Sequence, residues 1–129
     1  FRARCEAEDK ARREAERREA ERREAQERQA RHQAQIDEYL QSEEFLALGF
    51  SDEVLRPKLA EAKKKIEYMQ REQDDLEYNP CNDSEDRSML RSSIADLRED
   101  IKKLCLPTEL ISLLSNLVEH ERSTAHLGS

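Results

Sequence analysis

From Leu55 onward the apolar residues fall into step. Leu55, Leu59, Ala62, Ile66, Met69, Gln73 and Leu76 alternate spacings of four and three, which keeps them on one stripe of an α-helix that faces a partner helix. The same steps resume at Leu90, Ile94, Leu97, Ile101 and Leu104. "YNPCNDSED" separates the two runs: Pro80 ends the first helix, and Asn82, Asp83 or Ser84 is available to cap the second. Two seams of similar length joined by a short polar loop predict an antiparallel coiled-coil hairpin over residues 51–106, with its loop near 79–85. Its expected core is Leu59, Ile66, Met69 and Leu76 on one arm and Leu90, Ile94, Leu97, Ile101 and Leu104 on the other. Gln73, polar at a core position, is expected to set register or strand number at some cost in stability. The spacing is met equally well within one chain or between two, so a homodimer stays open on these grounds.

No such stripe exists upstream. Residues 12–30, "RREAERREAERREAQERQA", hold nothing greasy to bury. Acid-before-base pairs recur four apart at Glu6/Lys10, Glu8/Arg12, Asp9/Arg13, Glu14/Arg18, Glu19/Arg23, Glu24/Arg28 and Glu27/Arg31. Each contributes roughly 0.2–0.5 kcal/mol, on a background of residues near the top of the helix-propensity scale. Ala15, Ala20, Ala25 and Ala30 step by five, a rotation of about 140° each time, so they spiral instead of forming a seam. A solvated single helix is favoured over an Ala-seamed coil or a disordered run, and a long charged helix acting as a spacer is expected over 1–48. Residues 1–35 resemble the stable single α-helices of many motor and cytoskeletal proteins. That resemblance implies a spacer and names no partner.

Between the two halves lies a corner. Gly49 fits the left-handed position that ends a helix, Phe50 is placed to reach back to Phe45, and Ser51 suits the N-cap of the next helix ahead of Asp52 and Glu53. Pro57 is tolerable in a first turn and a kink elsewhere. Leu106 and Pro107 mark a second break. A last amphipathic helix is expected over 107–126, with Leu110, Ile111, Leu113, Leu114, Leu117 and Val118 on a face too wide for a two-stranded seam. That face is expected to cover the hairpin base and the corner, or to bind a partner through Leu110, Leu113, Leu114 and Leu117.

The fold class expected is therefore all-α and elongated. Composition agrees, since 36% of the chain is hydrophobic and 41% charged, against the roughly 45–50% and 25% of compact globular domains. Residues 1–35 carry 11 basic and 9 acidic side chains, and residues 36–129 carry 12 and 21. An acidic body argues against nucleic-acid binding, which rests on neutralising phosphates. Folding the hairpin brings Lys58, Lys63, Lys64 and Lys65 beside Lys102 and Lys103 at its open base, with acids at its tip. That base is a candidate docking site for an acidic filament surface such as a tubulin tail.

Catalytic and metal chemistry find no foothold. The acids near Asp83 lack the mid-loop Gly and the spaced Glu of a calcium loop, and His32, His120 and His126 are scattered. No phosphate loop or nucleophile elbow is present, so neither an enzyme nor a cofactor is expected. Cys5, Cys81 and Cys105 follow no metal or disulfide spacing and read as reduced thiols. The longest dense apolar stretch, 110–118, is shorter than the roughly 20 residues a bilayer needs. The chain opens on Phe1 without an initiator Met or a signal pattern, so a piece of a longer protein is expected. Taken together these features predict a structural coiled-coil interaction or dimerisation module with a helical spacer, or alternatively a filament-binding module. Its expected partners are proteins, with neither nucleic acid nor membrane, in an intracellular setting that is cytoplasmic or cytoskeletal, the nucleus remaining open.

Overall fold

A computed structural model describes residues 2–79 and 83–127. The expected roles of Pro80, Cys81 and Asn82, part of the loop near 79–85, and the end at 128–129 lie outside the described residues. Every described element is helical: α1 (Arg2–Leu40), α2 (Glu43–Leu46), α3 (Asp52–Tyr78), α4 (Ser84–Lys103), α5 (Thr108–Thr124) and a closing 3₁₀ turn at Ala125–Leu127.

The hairpin is made by α3 and α4. Asp83 caps α4 by accepting a hydrogen bond from the Asp86 backbone N–H at 2.8 Å. Ser93 donates to Glu72 at 2.8 Å and Lys65 donates to Asp100 at 3.1 Å, a register in which Leu76 lies opposite about Leu90. Both seams close within one chain. Ala62 and Ile66 are fully buried, Ile94 and Ile101 nearly so, and Leu59, Met69, Leu76, Leu90, Leu97 and Leu104 are half-buried. The α3 helix runs unbroken through Pro57.

Helix α3 also packs against α5, and α5 in turn packs against α1, while neither α1 nor α4 touches the helix beyond its neighbour. The order across the molecule is α4, α3, α5, α1. Leu110, Leu114, Leu117 and Val118 are at most 4% exposed, because α5 is covered on two sides and its wide apolar face serves both. Helix α1 runs antiparallel to α5: Ala25 and Glu21 lie by its C-terminal end, and Tyr39 feels Glu109 at its start.

The expected 1–48 helix is corrected in two ways. Helix α1 stops at Leu40, because Ser42 competes for the backbone: its hydroxyl donates to the Tyr39 carbonyl at 2.6 Å and accepts from the Phe45 N–H at 3.3 Å, which starts α2. The helix is also solvated only in part. Residues 3–24 are exposed, whereas Ala25, His32, Tyr39 and Leu40 are half-buried and Ile36 is buried against α5. Along the helix Glu19/Arg23, Glu24/Arg28 and Glu27/Arg31 close as pairs, while Asp9 turns to Arg12 at 3.2 Å.

The corner between α2 and α3 folds on aromatic rings. Phe45 is buried and stacks on Phe50 with centroids 5.6 Å apart, and Tyr39 meets Phe45 at 5.7 Å. Gly49 takes φ +76°. Ser51 occupies the N-cap position of α3, yet its hydroxyl makes no capping bond. A second left-handed residue follows α4, where Cys105 holds φ +57° and donates its N–H to the Lys102 carbonyl at 3.0 Å. That backbone region costs an L-residue roughly 1–2 kcal/mol and suits Gly. Cys105 is exposed, so replacing its side chain sacrifices no packing. Cys105→Gly is expected to stabilise the fold by about 0.5–1 kcal/mol, seen as a raised urea midpoint with an unchanged slope.

Candidate functional site

The lysines expected to form a free basic base are largely engaged within the chain. Lys58 donates to the Leu104 carbonyl at 3.0 Å and lies 5.3 Å from the centre of the Phe50 ring. It thereby closes the open end of α4 and ties it to the corner. Lys63 pairs with Glu121 of α5 at 3.2 Å, and Lys65 pairs with Asp100 of α4 at 3.1 Å and with Glu61 at 3.4 Å. Lys102 pairs with Glu99. Lys64, Lys103 and the neighbouring Arg56 stay exposed. Lys58, Lys63 and Lys65 thus make ties within the chain, since α3 lies between two helices that both offer it acceptors, and Lys63 keeps part of its side chain in solvent.

The apolar candidates face the core. Leu110, Leu114 and Leu117 belong to the main core cluster, with Leu113 packed against it. A face covered by α1 and α3 is closed to a partner. The cover comes from α3 of the hairpin and from α1, the second of which was not expected.

The sequence reading missed the surface between α1 and α5. Ala25, Gln29, His32, Ile36 and Tyr39 step by four and three, and the fold uses that stripe. The His120 Nε2–H donates to the Ala25 carbonyl at 2.9 Å, Gln29 donates to Glu121 at 3.4 Å, and His32 and His120 meet with ring centroids 5.3 Å apart. Two of the histidines that look scattered along the chain are thus neighbours. On the other side of α5, Gln70 donates to the Ser115 carbonyl at 3.0 Å and Arg122 bonds Gln70 and Asp74. Gln73 is half-buried and lines the cleft beside these groups. The charged rim of α5 therefore clamps both flanking helices.

This arrangement positions the helices against one another. Among the described residues no three His, Cys, Asp or Glu side chains converge to hold a metal, and no helix is long and apolar enough to cross a membrane. No protein-family model, curated protein or solved structure matches the chain. The functional reading thus rests on the geometry alone.

Among the described residues two groups are shifted upward in the fold. Lys65 holds its proton above the ordinary 10.5, first through its hydrogen bond to Asp100, with burial opposing and Glu61 assisting. Tyr39 is raised above 10.0 by burial and then by the charges of Glu109 and Glu44. Both bind protons more tightly folded than unfolded, so their contributions are complete below the unfolded values and are lost as pH climbs through the raised ones. The urea midpoint is expected to fall above about pH 10, and Asp100→Asn is expected to shrink that fall. Leu110→Ala is expected to cost about 2–5 kcal/mol in urea unfolding, as a core leucine does; a loss under about 1 kcal/mol would return this face to an outside partner.

Proposed function

We propose that the chain is a structural helical interaction module of a cytoskeletal or scaffold-type assembly, in which a four-helix head carries a stiff charged arm. The observation that carries this reading is the change of surroundings along one unbroken helix. Residues 3–24 of α1 are exposed, with Glu21 and Glu24 beside the C-terminal end of α5, and from Ala25 the same helix is docked on α5. The exposed part spans roughly 33 Å at 1.5 Å per residue.

An arm of this kind transmits position. Its own ion pairs and helix propensity hold it straight without a partner seam, and docking of its lower part fixes its direction against the head. Other proteins bound at the two ends are then held apart at a set distance. The hairpin and α5 have spent their apolar seams internally, so association with a partner protein, or with a second copy, falls to what remains exposed.

Small-angle scattering tests the reading. A compact chain of 129 residues has a radius of gyration near ~14 Å. The expected value is clearly larger, with a longest dimension of at least about 60 Å set by α1. Removing residues 1–20 is expected to shorten the particle and to leave the thermal midpoint within about 2 °C. A sphere-like profile, or a head that unfolds without the arm, rejects the proposal.

A further inference from the structure

Among the described residues the exposed leucines and valines all lie on one turn. Leu46 at the end of α2, Leu48, and Val54 in the first turn of α3 are 63%, 55% and 48% exposed. Their neighbours Phe45, Phe50 and Leu55 point inward and hold the corner, so the outward three are not needed to close it. A Cβ placed on Gly49, between them, meets no atom within 4 Å. The outer surface of the turn is open and apolar.

Its surroundings are mainly acidic, the exposed Arg56 of α3 being the nearest basic group in the sequence. Residues 33–55 contain no Lys or Arg and six acids: Asp37, Glu38, Glu43, Glu44, Asp52 and Glu53. Glu109 joins them in space, since it and Glu44 both act on Tyr39. The nearest lysine, Lys58, is turned to the Phe50 ring and the Leu104 carbonyl. Grouped exposed aliphatic side chains mark interaction surfaces, and a rim of one sign selects a partner of the other.

We propose that this turn docks a basic amphipathic helical segment of a partner protein, whose apolar face covers Leu46, Leu48 and Val54 while its lysines or arginines meet Glu43, Glu44, Asp52 and Glu53. This deepens the module reading and rests on it. The charge argues against an anionic membrane surface, which the acids repel. The arm of a second copy fits poorly, because residues 12–30 interleave Glu with Arg and offer no apolar anchor.

The probe is a synthetic helix of leucine and lysine, compared with a copy bearing glutamate for lysine, titrated into the full chain. Amide shifts are expected to cluster at residues 43–54, with the lysine peptide binding about tenfold more tightly than the glutamate one. Raising salt from about 50 to 500 mM is expected to weaken it severalfold. The combined change Leu46→Ser, Leu48→Ser and Val54→Ser should lower affinity by about tenfold with helical content unchanged, and Glu43→Lys with Glu53→Lys should do so while leaving the apolar trio intact. Shifts spread over the acidic hairpin tip, equal binding by the glutamate peptide, or undiminished binding by the serine variant would overturn the proposal. Self-association that the serine variant abolishes would also overturn it, by assigning the turn to a second copy. The arm-and-head reading stands or fails separately, on the scattering profile of the chain without peptide at a dilution where it is a single copy.

Discussion

Helix α5 is the constraint on which the rest depends. Among the described residues it is the one strongly apolar element of a chain otherwise dominated by charge, and Leu110, Leu114, Leu117 and Val118 all need cover at once. Burying each contributes roughly 1.5–3 kcal/mol, far more than any single surface ion pair elsewhere in the molecule. One flanking helix cannot cover so wide a face, so α3 takes one side and α1 the other. The hairpin supplies α3 with its back already packed on α4. The charged leader is drawn in as the fourth layer because the apolar demand of α5 leaves a side open.

The corner makes that return geometrically feasible. Two short-range devices act in series. The Ser42 hydroxyl ends α1 and begins α2, and Gly49 at φ +76° turns the chain again before α3. Phe45 and Phe50 stack across the turn, and Lys58 joins the Phe50 ring to the Leu104 carbonyl at the end of α4. The end of the hairpin, the C-terminal end of α1 and the start of α5 thus converge on one aromatic cluster. Its inward face is satisfied by the fold, and its outward face has no such role.

How much of this was readable from residue order depends on what kind of signal each element emits. The seams of α3 and α4 are written in Leu, Ile and Met, so spacing alone places Ile66, Ile94 and Ile101 on a buried stripe. The width of the α5 face is equally plain at 110–118, but hydropathy does not say whether the cover comes from inside or outside the chain. The stripe on α1 shares the same spacing and stayed hidden, because three of its five positions are Ala25, Gln29 and His32. Those side chains dock by hydrogen bonds and close approach, which a hydrophobic pattern does not record. The break at Ser42 was missed for a related reason: a serine in a strongly helical context ends a helix only when its hydroxyl finds Tyr39 and Phe45, a local bond without a periodic trace.

The lysines show how packing reassigns charge. On the linear sequence Lys63, Lys64 and Lys65 form a single basic run, and a run suggests a surface. On a helix they point in three directions, about 100° apart, and α3 has a neighbour on two of its sides. Lys63 therefore meets Glu121 of α5, Lys65 meets Asp100 of α4, and Lys64 alone is left to solvent. The same logic divides the arm. Where α5 lies alongside, α1 exchanges its charges for Ala25, His32 and Ile36; beyond the end of α5 nothing remains to dock against, and the helix continues on its own arginines and glutamates. The length of α5, more than any feature of the leader, thus decides where the docked part of α1 ends and the free arm begins.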